Sequence, residues 1–114
     1  MKTKLEAFRA HLEDETIRGY REKGFTLAHH VGNYECKIRI GRKYANVDRG
    51  RSGAYMVVLA TGEIFGIKAY GVIHKGHQYG NLDTIGAWDW SGYRAVRHAD
   101  DMRPVYELAD EVRP

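Results

Sequence analysis

The sequence predicts an α+β domain in which one N-terminal helix packs on an antiparallel β-meander of about four strands. Three observations lead there. Apolar residues recur at helical spacing at the start of the chain, the pattern switches to alternation after Phe25, and turn signals separate successive extended stretches by short connections. At 114 residues the chain reads as one domain, 1–114, large enough for a single core.

The helix is expected over residues 3–23. Thr3 and Glu6 have the spacing of a capping box, in which each side chain satisfies a backbone N–H of the first turn. Leu5, Phe8, Leu12 and Tyr20, with Ile17 nearby, fall on one stripe, while Glu13, Asp14, Glu15, Arg18 and Arg21 take the rest. Gly24 stops the helix, as a left-handed C-cap does. His11 borders the stripe and reads as a partly buried helix histidine rather than a ligand.

The sheet is expected over residues 25–70. Tyr34, Cys36, Ile38 and Ile40 alternate with Glu35, Lys37 and Arg39, the signature of a strand with one buried and one solvated face. Gly41, Arg42 and Lys43 form a turn, residues 44–48 a second strand, and residues 49–53 a glycine-rich reversal. Residues 54–60 are almost wholly apolar and suit a central strand covered on both faces. Thr61 and Gly62 then turn the chain into residues 63–69. Strands joined this closely must be antiparallel neighbours, because parallel pairing needs a long crossover.

Residues 71–97 read as an irregular glycine-rich loop followed by a Trp-rich segment, and residues 98–114 as an acidic tail with Val105, Leu108 and Val112 at helical spacing. The stretch from Lys68 to Asn81 carries two histidines, two lysines, two tyrosines and three glycines, a composition that a core does not need. A loop of that length is usually functional or disordered.

Composition narrows the classes. With 43% hydrophobic and 29% charged residues the chain is not wholesale disordered. No apolar run approaches the ~20 residues of a membrane span, and the first residues lack a signal peptide's apolar stretch, so no membrane partner and a cytoplasmic location are expected. The single cysteine, Cys36, cannot form an internal disulfide or a Cys-based zinc cage and reads as a buried structural thiol. The net charge of +3 is unevenly spread: Lys37, Arg39, Arg42, Lys43, Arg49 and Arg51 face only Asp48 between residues 37 and 51, whereas five acids face two arginines from residue 98 onward. Clustered cations favour a phosphate-bearing partner, although lysines and arginines also decorate the wet face of any strand.

Three stretches carry a resemblance. The run from Arg42 to Asp48, then Ser52 to Met56, then TGEIFGIKAYGVIHKGHQYGNLD from Thr61 to Asp83, resembles a segment of small uncharacterised proteins from bacteriophages of actinobacteria. The likeness spans under half of the chain and implies no activity, cofactor or site residues. It implies context: an accessory role in the host cytoplasm, such as binding a host protein, binding nucleic acid, or sequestering a nucleotide signal.

The residues themselves favour a non-catalytic module for an anionic ligand, nucleic acid or nucleotide. Lys68 and Lys75 supply charge, Tyr70 or Tyr79 is suited to stack on a base, His74, His77 and Asn81 add polar contacts, and Arg39, Arg42, Lys43, Arg49 and Arg51 present a basic belt to nucleic acid. Glycines 71, 76 and 80 let the backbone approach an anion or merely let the loop close the sheet. No Walker or dinucleotide-binding pattern is present. An inhibitor that binds a host protein through Trp88, Trp90, Tyr93 and the acidic tail is the second reading. The third is a His-dependent nuclease using His74 and His77. A metal held by His74 and His77 with Asp83, or with His29, His30 or His98, lacks a recognisable ligand motif, so no metal, cofactor or catalytic residue is expected. Oligomeric state stays open.

Overall fold

A computed structural model describes residues 1–98. The acidic tail expected over 98–114, with the helical spacing of Val105, Leu108 and Val112, lies almost wholly outside these described residues. The first helix, α1, runs Lys2–Glu22 and buries Leu5, Phe8, Leu12, Thr16 and Gly19. Burying Thr16 is tolerable because its hydroxyl donates to the Leu12 carbonyl at 2.8 Å. The expected capping box does not form: Met1 is the N-cap, no side chain caps the first turn, and Glu6 instead accepts from Arg9 at 2.6 Å. The C-terminus behaves as predicted. Gly24 takes φ +81°, its N–H bonds to the Arg21 carbonyl, and the Phe25 N–H reaches back to the Tyr20 carbonyl, which is the paired arrangement that closes a helix on a left-handed glycine.

A turn at Leu27–His29 and the one-turn helix α2, Val31–Tyr34, follow, so Tyr34 belongs to a helical turn and the sheet begins later than residue 25. Five strands then form one antiparallel meander: β1 Cys36–Ile40, β2 Tyr44–Arg49, β3 Ser52–Val58, β4 Glu63–Ala69 and β5 Val72–Asn81, in the order β1-β2-β3-β4-β5. β3 is the central strand, as its apolar composition predicts, and Tyr55, Met56 and Val57 are buried in succession.

The principal correction concerns residues 71–81. They are not an irregular loop but the fifth strand, joined to β4 through a turn in which Gly71 takes φ +77°. Pairing is broken by a large bulge: His74 opposes Gly66 while Gln78 opposes Phe65, leaving Lys75, Gly76 and His77 without partners on β4. A smaller irregularity lies on β3, where Tyr55 pairs with Val47 but Gly53 pairs with Asp48.

Beyond β5 a second turn at Ile85–Ala87 leads into the two-stranded ribbon of β6, Trp88–Asp89, and β7, Val96–Arg97. The intervening segment folds inward. Trp90 is 0% exposed, sits edge-on to Phe8 at 4.8 Å and Tyr55 at 5.1 Å, and donates its indole N–H to the Ile85 carbonyl at 2.8 Å. Carboxylates of α1 fix both neighbours of the helix: Glu13 accepts from the Cys36 backbone N–H at 2.9 Å, and Glu15 accepts from that of Trp90 at 3.0 Å. Gly19 permits the close approach, since a Cβ there would stand 3.0 Å from the Ser91 carbonyl oxygen. Cys36 is buried, and burial pushes its thiol up to about 12. Among the described residues no helix is long and apolar enough to cross a membrane.

Candidate functional site

In a five-strand meander alternate turns fall at opposite ends of the sheet. The β1–β2 and β3–β4 turns share one end, where the Leu59 N–H bonds to the Lys43 carbonyl. The β2–β3 and β4–β5 turns share the other, and there α1 ends. At that end the described residues enclose a cleft of about 460 Å³.

Each wall has a local cause. The β2–β3 turn is pressed against α2: Gly50 has φ +63°, its N–H bonds to the Glu35 carbonyl at 2.7 Å, and a Cβ on it would meet the Gly32 carbonyl at 2.7 Å. Only glycine fits, and the turn therefore holds Arg49 and Arg51 at the rim. The bulge in β5 brings the imidazoles of His74 and His77 together as a parallel stack, with centroids 4.0 Å apart and planes within 4°. Gly76 between them donates its N–H to His74 Nδ1 at 3.2 Å. The segment after Trp90 adds Tyr93 and Arg94, and the end of α1 adds Tyr20. Tyr55 and Tyr79 reach the cleft from the core side.

The electrostatics have one sign. Among the described residues, Arg49, Arg51 and Arg94 line the cleft with the two histidines, no Asp or Glu does, and none of the three arginines pairs with a carboxylate. Arg49 donates to the Trp90 carbonyl at 3.1 Å, yet its Nε is buried without a partner, as is the hydroxyl of Tyr55. Burial raises the phenols of Tyr55 and Tyr79 above their ordinary value, against the opposing pull of Arg49 and Arg94 respectively, so both remain O–H donors at neutral pH. His77 is held below 6.5 by desolvation, then by the positive charge of His74 and of Arg94. Guanidinium and imidazole groups line a space to which the described residues contribute no carboxylate, and such a space suits an oxyanion.

The cleft joins two sets of residues that the sequence presents separately. His74, His77 and Tyr79 come from the glycine-rich stretch, Arg49 and Arg51 from the basic belt. The other candidates go elsewhere, and Lys68, Tyr70 and Lys75 do not join His74, His77 and Tyr79 in the cleft. Arg42 and Lys43 occupy the β1–β2 turn at the far end of the sheet. Arg39 pairs with Asn46, between the core residues Ala45 and Val47, so it points away from the helix, where its guanidinium lies 5.6 Å from the Tyr70 ring. Tyr70 in turn donates to Asp48 at 3.3 Å. Lys68 and Lys75 are exposed outside the cleft, and Asn81 builds a turn in which its side chain accepts from the Asp83 N–H at 2.8 Å. Asp83 itself pairs with Lys4 at 2.8 Å, remote from the histidines. Among the described residues no three metal-ligating side chains come together. Trp88, Trp90 and Tyr79 cluster with one another as part of the main core.

Tyr20, Asn33, Ser52 and Tyr55 also line the cleft and carry no sequence signal for it. Tyr93 and Arg94 do, as an aromatic beside a cation.

No protein-family model matches this chain, and no curated protein or solved structure matches it either.

Proposed function

We propose that the protein is a small binding module that holds a phosphate-bearing ligand, a nucleotide or nucleic acid, in this cleft without transforming it. The supporting observation is the cleft's lining: three arginines and two histidines, with no carboxylate among the described residues that line it, at a volume within the range of about 300–1,000 Å³ typical of small-ligand sites. Binding is favoured over catalysis by the histidine geometry. In-line displacement at phosphorus puts the attacking and leaving oxygens on opposite sides, whereas two imidazoles stacked with centroids 4.0 Å apart leave no room for a phosphate between them. Binding to a host protein is less well supported, because Trp90 is enclosed in the core and cannot serve as an anchor. An accessory role in a bacteriophage, which the sequence resemblance implies, accords with binding alone.

The test is fluorescence polarisation with labelled nucleotides and oligonucleotides at low salt, comparing the protein with Arg94→Ala. Hydrogen bonds to charged groups contribute about 1.5–3 kcal/mol each, so this substitution lowers affinity about tenfold or more. Because Arg94 is exposed, the thermal midpoint should hardly move. Equal affinity in the two proteins, or no binding by either, sinks the reading.

A further inference from the structure

The main cleft does not end at its own wall. A second hollow of about 420 Å³ adjoins it and shares His77, Tyr79 and Arg94 with it. The second hollow is the shallower and more open of the two, and Arg94 stands on their common edge, an arrangement that matches a ligand with a repeating unit rather than one compact molecule. Aromatic rings stand beside the cations. Tyr93 lines the first hollow with 92% of its surface exposed, and so gains nothing from burial where it stands. Tyr20 lines it too, braced edge-on by Phe25 at 5.5 Å and His30 at 5.3 Å.

We infer that the ligand is a single strand of nucleic acid, with successive nucleotides in the two hollows, a backbone phosphate over Arg94 and a base stacked on Tyr93. This rests on the reading of the cleft as an anion site. Flat rings beside positive charge are how proteins hold unpaired strands, because every base has a face to stack while the phosphates supply the charge. A duplex is ill matched, because its bases are already stacked on one another and out of reach of a tyrosine.

The experiment uses the whole chain and fluorescence anisotropy at low salt, with oligothymidylate and oligouridylate probes of mono-, di-, tri- and hexanucleotide length and a duplex matching the longest. Affinity should rise at least about tenfold from mononucleotide to trinucleotide and then level off, since one stacked base contributes roughly five- to hundredfold. The duplex should bind more weakly than either strand. Tyr93→Ala should lower trinucleotide affinity by the stacking factor at an unchanged thermal midpoint, and Tyr93→Phe should restore it. The two probe series separate DNA from RNA, and binding in either supports the inference. A mononucleotide that binds as well as the trinucleotide overturns the strand while leaving the anion cleft standing. A duplex that binds as tightly, or a Tyr93→Ala protein with unaltered trinucleotide affinity, overturns it as well. If no probe binds, both readings fall.

Discussion

His77 shows how a single side chain takes its properties from its surroundings. Desolvation lowers its proton affinity first, and the positive charge of His74 and Arg94 lowers it further, so its titration in the free protein is centred below 6.5. A bound phosphate reverses that bias. The proton affinity of His77 rises in the complex, so the extra binding is fully present below the free-protein pKa and is lost as pH rises through the bound one. Arginine keeps its charge throughout, so Arg49, Arg51 and Arg94 set a floor of affinity at neutral pH on which the histidines act. Affinity for an oligonucleotide whose phosphates are all internal diesters should therefore increase as pH falls below 6.5. Replacing His74 and His77 together by Gln should flatten that rise, and a profile identical in the two proteins would exclude the histidines from the site. Terminal phosphates are unsuitable probes, since their own second pKa near ~6 confuses the reading.

At the scale of elements, the helix and the bulged strand differ in how much the sequence reveals of them. Leu5, Phe8 and Leu12 repeat at helical spacing and all three are buried, so the packing face of α1 is legible. Leu12→Ala should cost about 2–5 kcal/mol in a chemical-denaturation measurement; an unchanged midpoint would mean that the helix is not docked through this face. Thr16 and Gly19 complete that face without announcing it, because a polar residue and a residue without a side chain leave no apolar mark. β5 reads as a loop for a related reason. Its glycines serve a bulge and its flanking turns, and the unpaired run Lys75-Gly76-His77 destroys the period of two by which a strand is recognised. The same irregularity hides the site. Without β5 as a strand the β4–β5 turn cannot be assigned to the same end as the β2–β3 turn, and Arg49 and Arg51 stay separate from His74 and His77.

For the molecule as a whole, the net charge of +3 says less than its division between the two ends of the sheet. Arg51 and Arg94 belong to the cleft end, Arg42 and Lys43 to the opposite one. For a single strand, every phosphate deprived of its cation should reduce the slope of log affinity against log salt by about 0.7. Arg51→Ala with Arg94→Ala should therefore flatten the salt dependence, while Arg42→Ala with Lys43→Ala should leave it nearly unaltered; the reverse result would move the binding surface to the other end. The meander itself is built from neighbours in sequence, and such local pairing favours fast folding. Trp90 is the exception, because it meets Phe8 from the far side of the chain. During synthesis the hairpins can zip up one after another as they leave the ribosome, but the nascent helix has no finished seat until Trp90 has emerged. A chain stalled before that residue would carry an open core, and its Phe8 and Tyr55 would be offered to chaperones instead.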